Sequence, residues 1–275
     1  MRNESNTVLE VLTSLEAQTS APRLVVVVND GSSDGTGVVL HDAASRFGFR
    51  LDVVDLPPHQ GSYVGRPELA RVLNSGLSVI RSTDPMVKYV MKLDGDHRLP
   101  REYIESILAR MTSDPKLAVA SGYIAGERFS ERSPRGSGMV ARSDFWLRAD
   151  GLRFPLEFGW ESWLYLKAQS MGLRTRSFPD IVTKISRPTS MRKGVLYGRS
   201  MYALGYFWVY ALGRCVSYAV YSPSVAVQML SGYLDHRGVS HLDVSRWVNQ
   251  MQKRTILRRA ASIALRGGFA APTDV

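Results

Sequence analysis

The sequence predicts an α/β protein with a mostly parallel sheet flanked by helices and followed by a basic helical extension. Short apolar runs alternate with helical patterns up to about residue 186. The first of these runs, residues 24–28, is unbroken, as expected for a strand that is covered on both faces. Acidic residues follow two of the runs directly, and in an open α/β sheet ligands bind outside the carboxyl ends of strands.

Four segments carry the strand pattern. Besides residues 24–28, they are residues 51–55, 88–93 and 118–124. These runs are short, and helical patterns lie between them, as expected for strands of an α/β sheet.

Three segments between the strands carry the helical pattern. Apolar residues recur at helical spacing over residues 8–15, 69–80 and 104–111. Pro67 suits the first turn of the second helix, where a missing N–H is tolerated. Strands that alternate with helices in this way predict parallel pairing.

The part of the chain after residue 186 differs in charge and pattern. Residues 1–186 hold 23 Lys and Arg against 22 Asp and Glu, whereas residues 187–275 hold 12 against 3, a net charge of +9. Residues 201–221 are apolar around nearly the whole helix but are divided by Arg214, so they do not predict a membrane span. Residues 245–266 interleave basic and apolar residues. We therefore expect one domain over 1–186 and a basic helical extension over 187–275, with an anionic lipid, an anionic acceptor or nucleic acid as its partner.

The remaining composition is that of an ordinary globular protein, with 44% hydrophobic and 22% charged residues. Cys215 is the single cysteine, which excludes an intrachain disulfide and fits a reducing compartment. The first residues show no apolar run of the signal-peptide kind. These features favour a cytoplasmic protein.

The first candidate site follows residues 24–28. It begins Asn29-Asp30-Gly31-Ser32, and its glycine permits a tight turn. The Asp30 carboxylate could accept hydrogen bonds from a nucleobase or ribose, whereas it would repel a phosphate. The alternative is a purely structural turn that uses Asp and Ser for local backbone bonds.

The second candidate site is Asp94-Gly95-Asp96, at the end of residues 88–93. Two carboxylates separated by one small residue can converge on one divalent cation. Their hard oxygen atoms suit Mg²⁺ or Mn²⁺. The alternative is an acidic turn without a ligand.

The third candidate site is Gly159-Trp160-Glu161-Ser162-Trp163, at the start of a helix. The helix dipole stabilises an anionic Glu161 in the first turn. A carboxylate between two tryptophans is suited to act as a general base beside a sugar-stacking surface. The alternative is a first-turn acid beside core aromatic residues.

Together these three motifs resemble the family 2 glycosyltransferases, which have the GT-A nucleotide-sugar fold. The resemblance covers roughly residues 1–186 in the family's order, and it implies a role for each matched residue. It places the nucleotide-sugar donor at Asn3, Glu4, Asp30, Gly31, Arg66, Arg71 and Asp94. It places the metal, Mn²⁺ or Mg²⁺, at Asp94 and Asp96, the acceptor at Gly136, Gly138 and Trp160, and the catalytic base at Glu161.

The resemblance implies an enzyme that moves a sugar from a nucleotide-diphosphate-sugar to a hydroxyl of a glycan or glycolipid, with inversion. The basic extension resembles that of members working at membranes, which implies a peripheral location on the anionic inner face of the cell membrane. No recognised nucleic-acid motif accompanies the basic residues, so nucleic acid is not expected as a partner.

Two departures from the family leave alternatives open. Ser162 stands where the family usually has the acid that serves as base. The acceptor could then be a polyprenyl phosphate, whose phosphate nucleophile needs no base, or the protein could bind nucleotide-sugar at the membrane without turnover.

The second departure is at the start of the chain, because the family's first strand precedes Arg2-Asn3-Glu4. An interior strand satisfies backbone hydrogen bonds on both sides, so we expect the natural chain to begin roughly ten residues upstream of Met1.

Overall fold

The first predicted strand pairs with the second, as the parallel pattern requires. β1 (Leu24–Asp30) runs parallel to β2 (Arg50–Leu56), with Leu24 opposite Arg50 and Asp30 opposite Leu56. α2 (Thr36–Ala43) connects them and buries Leu40. This computed structural model describes residues 1–127, 129–185, 194–236 and 241–266, with side chains up to residue 262.

The second sheet is mixed rather than mostly parallel. Its strands follow the order β3-β6-β5-β7-β4, and of its four pairings only β5 with β7 is parallel. The strands are β3 (Tyr89–Lys92), β4 (His97–Arg98), β5 (Leu117–Ile124), β6 (Met139–Arg142) and β7 (Arg174–Ile185). The α/β class and the predicted strands are confirmed, but the expectation of a mostly parallel sheet is wrong here. The sequence did not predict β4, β6 and β7. β4 and β6 are too short to show the alternating pattern of a strand, and β7 carries charged residues at its exposed positions.

The three predicted helices are present. They are α1 (Val8–Glu16), α3 (Pro67–Thr83) and α4 (Tyr103–Ser113), and α3 begins at the predicted Pro67. Two further helices are α5 (Ser143–Asp150) and α6 (Trp160–Ser170). Leu12 of α1, Ile107 and Met111 of α4 and Ala120 of β5 belong to one buried core.

The extension is helical, as predicted. It contains α7 (Gly194–Ala203), α8 (Trp208–Ala219), α9 (Pro223–Asp235) and α10 (Leu242–Arg266). The apolar stretch 201–221 is two helices, because the chain turns at Gly205 with a φ of +73°. In the described part of the chain, no helix is both long and apolar enough to cross a membrane.

Residue contacts divide the chain into two units. Unit 1 comprises Met1–Ser62, Arg71–Phe154 and Gly172–Pro188, and unit 2 comprises Tyr63–Ala70, Pro155–Met171 and Thr189–Val275. This grouping places residues 63–70 and 155–171 with the extension, and the expected domain 1–186 stays a prediction. Both segments are short, and no pattern in the sequence indicated their grouping.

The start of the chain lies beside the end of β1. The Asp30 N–H donates to the carbonyl oxygen of Met1, at 2.8 Å, and the Met1 nitrogen donates to the Val28 carbonyl, at 2.6 Å. Among the described strands, none joins β1 to β3. The expectation of a longer natural chain stays a prediction.

Candidate functional site

The turn after β1 is shaped by close contact with the loop after β2. Gly31 has a φ of +59°, and a Cβ atom there would lie 2.6 Å from the carbonyl oxygen of Pro57. A side chain at this position would therefore clash and strain the backbone. Gly31 fixes the point at which the chain leaves β1, and so fixes the position of Asp30.

Residues 3 and 4 are hydrogen-bonded to the same turn. The Asn3 N–H donates to Ser32 Oγ at 3.0 Å, and the Asn3 side-chain oxygen accepts from the Ser33 N–H at 2.9 Å. The Glu4 N–H donates to Thr36 Oγ1 at 2.8 Å. Asn3 and Glu4 are thus held beside Asp30, although 26 residues separate Glu4 from Asp30 in the sequence.

The Asp30 carboxylate has a histidine partner that the sequence did not reveal. Its side chain is 8% exposed, and His59 Nε2 lies 3.1 Å from Asp30 Oδ1. Arg2 donates to the carbonyl oxygen of His59 at 2.5 Å and lies 3.3 Å from His59 Nδ1. Arg2, His59 and Asp30 therefore form a chain of polar contacts. One signal could have revealed this contact. His59 comes shortly after the end of β2 and Asp30 ends β1, and the ends of two adjacent parallel strands lie at the same edge of a sheet.

The Asp94-Gly95-Asp96 turn meets residues 1–4. A Cβ atom on Gly95 would lie 2.9 Å from Met1 Cβ and 3.3 Å from Glu4 Cγ, so only glycine allows this approach. Thr7 Oγ1 donates to Glu4 Oε2 at 2.7 Å and lies 3.2 Å from the Gly95 carbonyl oxygen. Within unit 1 the structure therefore brings Glu4, Asp30 and the Asp94–Asp96 turn to one edge. We call this edge the acidic edge.

Asp94 is ionised at the acidic edge. Lys92 Nζ lies 2.8 Å from Asp94 Oδ1. Desolvation raises the pKa of the Asp94 carboxyl, but the positive charge and hydrogen bond of Lys92 outweigh it and leave the pKa below its ordinary value. The side chain is half exposed, so this carboxylate is charged and accessible.

A buried polar group holds the Asp94–Asp96 turn from behind. Ser137 Oγ accepts from the Asp94 N–H at 3.0 Å and is hydrogen-bonded to His97 Nδ1 at 2.7 Å. His97 is fully buried, and burial lowers its pKa although the carboxylates of Asp94 and Asp96 oppose the shift. Neither Ser137 nor His97 could be recognised from the sequence, because a lone serine in a loop and a lone histidine in a two-residue strand carry no pattern.

The predicted acceptor glycines flank Ser137. The Gly138 N–H donates to the Lys92 carbonyl oxygen at 2.9 Å, and the Gly138 carbonyl accepts from the Tyr103 hydroxyl at 2.7 Å. Gly138 is buried and Gly136 is partly exposed. The loop 136–138 is thereby fastened next to β3, directly before the Asp94–Asp96 turn.

The acidic edge provides two candidate metal ligands, Asp94 and Asp96. In the part of the chain that the structure describes, no cluster of three or more His, Cys, Asp or Glu side chains is placed to hold a metal ion. Two carboxylates nonetheless fit Mg²⁺ or Mn²⁺, which take part of their oxygen ligands from substrate phosphates and water. The donor chemistry of the turn therefore fits the expected cation.

The two candidate donor arginines lie near the start of α3. Arg71, in unit 1, and Arg66, in unit 2, are both exposed cations. The Arg66 carbonyl oxygen accepts from the indole N–H of Trp160 at 3.2 Å, within unit 2. Both guanidinium groups are accessible to an anion.

The two tryptophans around Glu161 lie in the interior of unit 2. Trp160 is 5% and Trp163 2% exposed, and the Trp163 indole donates to the Asp243 carboxylate at 3.1 Å. They therefore do not form the exposed sugar-stacking surface that the sequence suggested. Glu161 is partly buried in the first turn of α6, which begins after Gly159.

Comparison with known proteins decides the family. The sequence profile described as glycosyl transferase family 2 matches residues 1–177, more than half of the chain. The chain belongs to glycosyl transferase family 2. The turn at Asp30 and the Asp94–Asp96 turn both lie within the matched residues.

One curated relative of this family 2 chain is the poly-beta-1,6-N-acetyl-D-glucosamine synthase of Staphylococcus epidermidis. It is 28% identical over 120 residues, which are 44% of this chain and 26% of the synthase. The match therefore spans about a quarter of that relative, and synthases of the same name from Staphylococcus aureus match over the same length.

Solved structures show that this family 2 chain has the GT-A fold. The mannosyltransferase PcManGT from Pyrobaculum calidifontis, in complex with GDP-Man and Mn²⁺, has a TM-score of 0.57 at 17% identity, over 98% of this chain and 74% of that one. S. aureus TarS 1–349, in complex with UDP-GlcNAc, has a TM-score of 0.52 at 17% identity, over 86% and 70% of the two chains. At these identities the likeness establishes the fold.

Proposed function

We propose that this family 2 glycosyltransferase transfers a sugar from a nucleotide-diphosphate-sugar to an acceptor hydroxyl of a glycan or glycolipid, with inversion. The observation that carries the proposal is the acidic edge, where Glu4, Asp30 and the Asp94–Asp96 turn meet. Family membership supports nucleotide-sugar transfer, and structural neighbours solved with UDP-GlcNAc and with GDP-Man support this class of donor.

Residues of the acidic edge hold the nucleoside in this proposal. Asp30 accepts hydrogen bonds from the base or ribose, and Asn3, Glu4 and Gly31 lie beside it. Arg66 and Arg71 supply positive charge for the diphosphate. His59, 3.1 Å from Asp30, keeps the Asp30 carboxylate oriented.

The metal ligands are Asp94 and Asp96 in this proposal, with Asp94 also near the ribose. A divalent cation, Mn²⁺ or Mg²⁺, supplies charge neutralisation on the departing diphosphate when it is bound. A structural neighbour solved with Mn²⁺ supports this choice of cation. Ser137 and His97 hold the turn that carries both carboxylates.

Glu161 is the general base in this proposal. It takes the proton of the acceptor hydroxyl, whose oxygen forms the new bond to the anomeric carbon as the bond to the diphosphate breaks. Attack from the face opposite the leaving group inverts the anomeric centre. Glu161 lies in the first turn of α6, a position that suits a carboxylate acting as a general base. Gly136 and Gly138 remain proposed acceptor-binding residues, whereas Trp160 is buried in unit 2 and is no longer proposed to contact the acceptor.

Ser162 favours a second candidate function, transfer to a polyprenyl phosphate. The phosphate oxygen of such an acceptor is already a nucleophile, so no base is needed at residue 162 or 161. In that case replacement of Glu161 would leave turnover intact. A protein that binds nucleotide-sugar without turnover would show neither transfer nor donor hydrolysis.

We also propose that the protein works on the cytoplasmic side of the cell membrane, bound to its anionic inner face. The charge of +9 over residues 187–275 supports this proposal, since Lys and Arg near an anionic membrane each contribute about 1 kcal/mol to binding.

A donor screen tests the proposed function. Nucleoside diphosphates and their sugars are added to the protein with and without Mn²⁺, and thermal unfolding is followed. A ligand at 100 times its dissociation constant adds about 2.7 kcal/mol of stability, equivalent to roughly 5–10 °C for a protein of this size. We expect one nucleobase to stabilise in Mn²⁺ and its sugar conjugate to be consumed when acceptor is added. Failure of every nucleotide to stabilise the protein would contradict the proposal.

A further inference from the structure

The α8–α9 hairpin presents an apolar surface that the proposed transfer reaction does not use. Residues 205–234 of the sequence contain a single charged residue, Arg214. α8 places Trp208, Leu212 and Val216 four residues apart, on one side of the helix. Residues spaced in this way form a continuous stripe along a helix.

This stripe is exposed. Trp208 is 61%, Val216 60% and Val220 81% exposed, and Tyr221, just beyond the helix, is 80% exposed. The neighbouring side of α8 is buried. It inserts Ala211 and Cys215 into the core formed with α7 and α9, so the exposed stripe is additional to the packing that stabilises unit 2.

A basic cleft adjoins the start of α8. Lys253 Nζ lies 5.0 Å from the ring centroid of Phe207, and the Phe207 and Trp208 rings are 5.9 Å apart. The cleft has a volume of about 370 Å³. Its lining residues come from α10 and from the turn before α8: Gly205, Ser245, Arg246, Asn249, Gln250 and Lys253. The cleft therefore offers two cations and several hydrogen-bond donors to an anion.

We propose that the exposed stripe of α8 inserts into the surface of an anionic phospholipid bilayer, with a lipid phosphate in the cleft between Arg246 and Lys253. Charge complementarity selects this partner, because the stripe lacks carboxylates and its neighbouring cleft is cationic. The aromatic residues at its two ends, Trp208 and Tyr221, suit the boundary between headgroups and acyl chains. α8 is 12 residues long, about 18 Å, which suits a helix lying in the interface rather than crossing it.

This inference rests on the proposed membrane association but not on the proposed transfer reaction. It is tested with the full chain and phosphatidylcholine vesicles, with and without phosphatidylglycerol, and no sugar donor is needed. We expect flotation with the phosphatidylglycerol vesicles at low salt. A failure of vesicle binding would leave donor stabilisation in Mn²⁺ unaffected, so the two proposals fail separately.

Two pairs of substitutions test whether the exposed stripe of α8 is required for binding, or whether added negative charge anywhere on the protein weakens it. Leu212→Asp with Val216→Asp should lower partitioning onto anionic vesicles at least tenfold. The matched control is Val38→Asp with Met86→Asp, two exposed apolar residues of unit 1, which should leave partitioning unchanged.

The cleft is tested in the same way. Arg246→Gln with Lys253→Gln should weaken binding about fivefold per charge at low salt, the equivalent of about 1 kcal/mol each, and much less at high salt. Arg46→Gln with Arg101→Gln, exposed cations of unit 1, is the matched control and should have little effect.

Fluorescence gives a measurement that does not depend on a charged substitution. On binding to vesicles, the fluorescence emission of Trp208 should shift to shorter wavelength and be quenched by brominated lipid. Trp208→Phe should remove this shifted and quenched part of the emission. Unchanged flotation of the Leu212 and Val216 variant, or no Trp208 shift in bound protein, would overturn the proposed surface. A third result would also overturn it: the wild type is a dimer in light scattering and does not bind vesicles, whereas the Leu212 and Val216 variant is a monomer. The stripe would then bind a second copy of the chain.

Discussion

Ser137→Ala tests whether the buried serine positions the Asp94–Asp96 turn. Ser137 is 7% exposed and His97 is fully buried, so removal of Oγ leaves His97 Nδ1 without its partner in a place that water does not reach easily. The Asp94 N–H also loses its acceptor, 3.0 Å away.

The structure sets the expected size of both effects. A buried polar group left unsatisfied costs about 1–3 kcal/mol, and the second lost bond lies beside a half-exposed residue, so we expect a total of about 2–3 kcal/mol. For a protein of this size that lowers Tm by roughly 5–10 °C. The freed turn should also weaken nucleoside-diphosphate binding in Mn²⁺ by about 2- to 10-fold, the equivalent of about 0.5–1.5 kcal/mol.

Tyr103→Phe tests whether weaker nucleotide binding comes from the freed Asp94–Asp96 turn or simply from a less stable protein. The Tyr103 hydroxyl bonds Gly138 and Gly122 but not the Asp94 backbone, so its loss should lower Tm by a similar amount without changing affinity for the nucleotide. Ser82→Ala, on the exposed side of α3, should change neither quantity. Thermal unfolding and calorimetric titration measure both. Equal nucleotide affinity in the Ser137 and Tyr103 variants would refute the positioning argument.

Three further substitutions test the proposed roles directly. Asp96→Asn should abolish Mn²⁺-dependent nucleotide binding while leaving Tm of the free protein unchanged; titration with unaltered affinity in Mn²⁺ would reject Asp96 as the main metal ligand. Asp30→Ala should cost about 1.5–3 kcal/mol in donor binding, the value of a charge-assisted hydrogen bond, and normal binding would place the nucleoside elsewhere. Glu161→Gln should lower turnover by roughly 10²–10⁴ with little change in donor affinity; full activity would favour a polyprenyl-phosphate acceptor.

The strands and helices that the sequence predicted are those with a strong local signal. Residues 24–28 are apolar without interruption, and α3 combines an apolar stripe with Pro67 at its start. β6 has only four residues, and β7 places charged residues on its exposed positions, so neither could be recognised. Because these strands set the pairing of the second sheet, its mixed order could not be predicted either.

The sequence also indicated the candidate residues but not their surroundings. Asp30 and Asp94 were found because each follows an apolar strand, a relation between neighbours in the chain. The partners His59 and Ser137 were not found, since they are 29 and 43 residues away and reach the site only through folding. The buried positions of Trp160 and Trp163 were equally undetermined, because an aromatic residue in a helix has the same local pattern in a core and at a surface.

The sequence by itself determined the α/β class, the acidic motifs at strand ends and the basic extension, because each depends on residue types close together in the chain. Only the tertiary structure decided that Glu4, Asp30 and the Asp94–Asp96 turn share one edge, and that α8 leaves its apolar stripe exposed. These features depend on contacts between distant segments, such as the approach of Gly95 to Met1 and Glu4. Local propensity carries no information about such contacts, since they are selected by the packing of the whole core.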